Sequence, residues 1–214
     1  ALAWGGWPPE SAGTGAATAA RRPAPRGPAL RALYVEYALN AVGLVPHMVF
    51  LVDFVARGLG HGLHAGARYW VLFGLGAVVG PMLAGAGADR IGFGLALRLA
   101  LVVQAAAVAL PAVTADPLWL VVSSLVIGAA VPGIVPLVLG RVHELLPHDP
   151  EGQRGAWSVT TMAFALGQAA GAYGFSFLFA GGGSYPTLFA LAAGAMALAL
   201  VINLGGRLAA PRPI

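Results

Sequence analysis

The sequence contains no cysteine and no lysine, and only 9% of its 214 residues are charged. Each shortage removes a class of protein. Without cysteine there is no disulfide framework, no thiolate metal site and no cysteine nucleophile. Without lysine there is no phosphate-binding P-loop. The 12 basic residues are all arginines, scattered between apolar stretches, so the isoelectric point near 10.1 does not describe a solvated basic face for nucleic acid. A soluble domain carries about 25% charged residues. Here 58% of residues are hydrophobic and the mean hydropathy is +0.80, which makes a lipid bilayer, not water, the expected surroundings.

What is present is a series of long apolar blocks, over 30–56, 67–87, 94–113, 118–139, 155–180 and 187–204. At about 1.5 Å of rise per residue each is long enough for a hydrocarbon layer about 30 Å thick. Short connectors with helix breakers separate them: 57–66, 88–92, 114–117, 141–154 and 181–186. The pattern predicts an all-α integral membrane bundle of six transmembrane helices over 30–206. Residues 1–29 precede the bundle, their stretch 7–28, rich in Pro, Gly, Ala, Ser and Thr, reading as a flexible linker, and 207–214 read as a tail. The chain opens at Ala1 with no basic, apolar signal segment, so a continuation upstream is expected.

Six crossings return the chain to the side on which it started. That side would hold Arg21, Arg22, Arg26, Arg31, Arg90, Arg98, Arg141, Arg154, Arg207 and Arg212, against Arg57 and Arg68 on the other. The excess makes the first side cytoplasmic by the positive-inside rule, with both ends of the segment there. Heavy use of Ala, Gly, Pro and Arg suits a GC-rich bacterial genome, and the expected location is a bacterial cytoplasmic (inner) membrane.

Polar residues sort the spans. Gln104 in the third and Asn203 in the sixth stand nearly alone, which reads as lipid-facing or peripheral. The first holds Glu36, Asn40 and His47, the fourth Ser123 and Ser124, and the fifth Thr160, Thr161, Gln168, Tyr173 and Ser176. Buried polar groups are costly in hydrocarbon, so these three should face protein or a water-filled cavity. At 100° per residue, Glu36, Asn40, Gly43 and His47 fall within about 60° of one another, forming one stripe able to bind protons or a substrate group. The plainer alternative is a hydrated Glu36 near the membrane edge and a His47 bonded to a neighbouring helix. Pro46, Pro132 and Pro136 remove backbone hydrogen bonds in mid-span and mark expected bends, with Gly128 and Gly133 adding flexibility. Asp53 and Arg57 read as an interfacial ion pair. Gly76 with Gly80, and Gly167 with Gly171, form small faces for close packing.

The second connector, Gly85-Ala-Gly-Ala-Asp89-Arg90-Ile-Gly92-Phe-Gly94, resembles the G-x-x-x-D-R-x-G-[RK]-[RK] loop of the major facilitator superfamily, with Phe93 and Gly94 replacing the basic pair. GLVPHMVFLVDFVARGLG and YWVLFGLGAVVGPMLAGAGADRIG look like the seventh and eighth helices of its YbfB/YjiJ-like branch. The resemblance implies the C-terminal six-helix half of a transporter. In such a half the first and fourth helices line a central cavity, while the third and sixth support it from outside. It also implies a gating loop at Gly85, Asp89, Arg90 and Gly92, whose Asp89 meets the missing N-terminal six-helix half.

Catalytic alternatives fail on spacing. His143 and His148 are five apart with Pro147 between them, unlike a zinc-binding H-E-x-x-H helix. His61 and His64 lack an acidic neighbour, and Ser158 has no nucleophile elbow. No enzyme, cofactor or metal is expected. The expected function is secondary transport of a small solute by alternating access, with proton coupling as one option and Glu36, Asn40, His47, Ser123, Ser124 and Gln168 as candidates for the substrate or proton pathway. The expected partners are the lipid bilayer, a small-molecule substrate, and the missing N-terminal half or a second copy. The competing reading is a non-transporting membrane assembly protein or an inactive truncated half.

Overall fold

Helix starts in this chain are encoded by residues that cap or pre-shape a first turn. The computed structural model describes residues 27–208 and runs them through six long rods. These are α1 (Pro28–Gly58), α2 (Gly62–Ile91), α3 (Phe93–Val113), α4 (Pro117–Leu145), α5 (Pro150–Ala180) and α6 (Tyr185–Leu208). Pro28, Pro117 and Pro150 occupy first turns, where a missing N–H has no intrahelical partner to lose. The Asp116 and Asp149 carboxylates accept from Leu118 N and Gly152 N, each at 2.9 Å, and so satisfy helix-start donors. Gly92 alone separates α2 from α3, at a φ of +81° that penalises any side chain. The Phe93 N–H that opens α3 is capped from another helix, by Glu144 Oε1 of α4 at 2.9 Å.

All six apolar blocks are helices, but the helices overrun them. The connector expected over 57–66 shrinks to 59–61, and that over 141–154 to 146–149. Long polar side chains at helix ends extend towards water while their stems remain against apolar surface, so the helix need not stop where apolar sequence does. The bundle begins at Pro28, not at residue 30. Residues 1–26, with Arg21, Arg22 and Arg26 of the expected linker, and 209–214, with Arg212 of the expected tail, lie outside the described residues, whereas 207–208 continue α6.

α1 is the central rod: 61% of its most apolar window is buried, against 22% for α2 and 17% for α5. It lies against α5 and α6, while α4 packs on α2 and α3, and α3 also meets α6. Leu33, Leu97 and Val138 fill one end of the interior, Leu44, Val108 and Ile127 the middle, and Phe54 and Phe189 the other end. Large apolar side chains such as Val78, Met82, Leu166 and Phe177 stand exposed around the bundle.

Glycine sets how near two pairs of rods come. A Cβ on Gly76 or Gly80 of α2 would meet the α4 backbone at Leu125 and Ala129, and one on Gly128 of α4 would meet the α2 backbone at Phe73. Gly133 faces Gly80 in the same seam. Gly128 and Gly133 are therefore contact points where a second backbone arrives. Gly167 and Gly171 of α5 do the same against Ala38 and Val42 of α1.

Candidate functional site

Glu36, Asn40, Gly43 and His47 do share one face of α1, as their spacing predicts. That face is turned into the bundle: Glu36 is 3% exposed, Asn40 1% and His47 0%. Each level of the stripe meets a different helix. Glu36 Oε2 accepts from Asn203 Nδ2 of α6 at 2.9 Å, and Asn203 Oδ1 accepts from Arg98 Nε of α3 at 3.1 Å. Asn40 Nδ2 donates to Gln104 Oε1 of α3 at 2.8 Å and lies 3.3 Å from Met196 Sδ of α6. A Cβ at Gly43 would run into the Met196 side chain.

His47 Nε2 lies 2.7 Å from Ser123 Oγ of α4, and that hydroxyl donates to Ala107 O of α3 at 2.6 Å. Because the serine proton is committed to the carbonyl, the imidazole must supply the proton of the first bond, which fixes the Nε2–H tautomer. The ring also meets the edge of Phe189, with centroids 5.1 Å apart. His47 therefore ties α1 to α4 through Ser123, while Glu36 is buried and bonded to Asn203 of α6.

Gln104 and Asn203 correct the reading of α3 and α6. A lone polar residue in an apolar span reads as incidental, yet both point inward and hold the α1 stripe. The cost of an amide in hydrocarbon is the signal that would have found them: a solitary amide in a span is directed at a partner. Glu144 and Arg141 were also missed, because their sequence neighbourhood suggested only a failed metal motif. Arg141 and Glu144 pair at 2.8 Å while Glu144 caps α3, which brings the end of α4 to the α2–α3 connector.

The remaining residues fall elsewhere. Ser124 donates to Leu120 O within its own helix at 2.8 Å. Gln168 of α5 is half-buried, with Nε2 3.4 Å from Met48 Sδ of α1. Thr161, Tyr173 and Ser176 face outward from α5, Tyr173 at 80% exposure. Gly85, Asp89 and Arg90 lie in the last turns of α2 and Gly92 ends it; Asp89 and Arg90 are exposed, remote from the α1 stripe in the bonding pattern. At Pro46 the bonding of α1 changes to a π-helical stretch through Phe50, and a second such stretch covers Phe54–Gly58. α4 remains α-helical through Pro132 and Pro136.

Asp53 pairs with Arg57 at 3.1 Å and also accepts a hydrogen bond from the Tyr185 hydroxyl, which joins α1 to the start of α6. Among the described residues no three His, Asp or Glu side chains gather as a metal site. A family model described as "uncharacterised MFS-type transporter YbfB" matches residues 2–204. No curated protein matches the chain.

Proposed function

The chain belongs to the family described as uncharacterised MFS-type transporter YbfB, and on that premise we propose that it moves a small solute across a bacterial inner membrane by alternating access. Its six apolar spans are one half of a major-facilitator fold. The observation carrying the proposal is the uneven covering of the bundle. α1 is enclosed, whereas α2 and α5 leave most of their surfaces open, and α5 turns Thr161, Tyr173 and Ser176 outward. Hydroxyls on an open face of a membrane helix are better satisfied by protein or a water-filled path than by lipid tails. We assign that face to the solute path and to a preceding six-helix half, with Gln168 at its margin.

On this reading the arginine-rich end is cytoplasmic. Asp89 contacts the other half there and helps to hold the path closed. Asn40, His47 and Ser123 act by keeping α1, α3 and α4 together as a body that moves as a unit, while Ser124 bonds within α4. Substrate binding falls between halves, near the membrane midplane, as in transporters built from repeats. No covalent chemistry is assigned to any side chain.

The test is uptake of a panel of labelled small solutes into vesicles containing the full-length protein, with and without a pH gradient. Accumulation above protein-free vesicles is expected for at least one solute, and Gln168→Ala with Tyr173→Ala should lower it by about five- to tenfold, the loss of one or two hydrogen bonds. No accumulation with any solute refutes transport. Uptake that ignores the gradient removes the proton coupling and leaves the rest standing.

A further inference from the structure

The two carboxylate oxygens of Glu36 differ. Oε2 is held by Asn203 at 2.9 Å, whereas Oε1 is buried and takes no hydrogen bond from the protein. Beside Glu36 lies a chamber of about 30 Å³, walled by Ala32, Glu36, Gly94, Arg98, Arg141 and Asn203. A water molecule needs about 10–15 Å³ of such space and two or more polar partners. Glu36 and two arginine side chains form part of its wall, so the chamber has the volume and the polar neighbours for one. Arg141 keeps 27% of its side chain exposed, and Ala32 and Gly94 are half-buried, which gives the chamber an approach from the arginine-rich end of the bundle.

We propose that Glu36 and this chamber form a proton-binding site, in which one ordered water links Glu36 Oε1 to the solvent at the arginine-rich end. The charged groups around it are Arg98 of α3 and Arg141 of α4 with Glu144 paired behind it, and the neutral Asn203 of α6 stands beside them. When Glu36 is ionised, Asn203 donates to Oε2 and the water donates to Oε1. When a proton arrives through the water, Oε1 becomes a donor to that same water and the Asn203 bond is retained. Proton and charge balance without any other group. The site lies on the inner face of α1, on the side of that helix turned away from the open α5 face, so it is separate from the proposed solute path and does not depend on it.

Infrared difference spectra of the full-length protein in lipid nanodiscs, taken between acidic and neutral buffers, test the site. A protonated-carboxyl stretch should appear on acidification, shift in heavy water, and be lost in Glu36→Gln. Identical spectra from the wild type and Glu36→Gln overturn the proposal. Should Glu36→Gln fail to fold, Glu36→Asp serves: a displaced band assigns the carboxyl, and an unmoved one refutes it. Ala32→Leu fills the chamber while leaving the carboxyl in place. It should abolish the fast deuterium shift of the band, and a shift as fast as in the wild type overturns the role of the chamber water.

Discussion

The α2–α4 seam and the inner seam of α1 join apolar helices where the hydrophobic effect offers little, since lipid tails are as apolar as the side chains. They do so by opposite means. Between α2 and α4, Gly76, Gly80, Gly128 and Gly133 admit the neighbouring backbone, and dispersion between closely packed atoms holds the pair. Along α1, Glu36, Asn40 and His47 reach amide and hydroxyl partners on three helices. At Gly76, Gly80 and Gly128 the glycine seam has no room for a Cβ, and among the described residues it holds no unpartnered buried side-chain polar atom. The polar seam leaves buried atoms without a hydrogen-bond partner at every level: Glu36 Oε1, then both Asn40 Oδ1 and Gln104 Nε2, and His47 Nδ1. One seam joins two rods by contact alone, while the other joins helices through polar groups that are only partly satisfied.

The largest effect should come from the seam that has no room. Gly80→Leu places a branched side chain where the Ala129 backbone lies, so α2 and α4 must separate along their length. Destabilisation of about 3 kcal/mol or more is expected, at the upper end for overpacking. Unfolding in mixed detergent micelles measures it. A variant as resistant as the wild type would show that the close approach is dispensable and erase the contrast between the seams.

An intermediate effect is expected in the polar seam. Asn40→Leu leaves the Gln104 carbonyl oxygen buried without a donor, at a cost of about 1–2 kcal/mol. Adding Gln104→Leu removes the stranded amide and should recover most of that loss, because replacing both partners avoids the unmet group. If the double variant is destabilised by the full sum of the singles, the amide pair does not act as a pair, and the seam is held by packing alone.

Length and hydropathy made the six spans legible, because a stretch that crosses hydrocarbon has no other way to satisfy its backbone. The Gly76–Gly80 spacing announced a close contact, though not that α4 supplies it. The face shared by Glu36, Asn40 and His47 followed from helical periodicity. Its direction did not, because that depends on Gln104, Ser123 and Asn203, which arrive from three helices as isolated residues with no periodicity of their own. The π-helical stretches of α1 were equally hidden: Pro46 forecasts a broken hydrogen bond but not how the chain re-forms its ladder. The Glu36 chamber needed four helices placed together before two oxygens of one carboxylate could be told apart.

The smallest effect isolates what the glycine seam owes to position. Gly74 lies on α2, less than two turns from Gly80, but a Cβ there meets nothing within 4 Å and the residue faces outward. Gly74→Ala therefore leaves the seam untouched and gains only from the lower conformational freedom of the unfolded chain, about 0.5 kcal/mol of stabilisation. The sign is the test. Glycine as a general softener of α2 would make alanine stabilising at both positions, whereas glycine as a docking point makes it stabilising at Gly74 and destabilising at Gly80. Measured in the same micelles, opposite signs at the two sites tie the α2–α4 contact to the face of the helix and not to its composition.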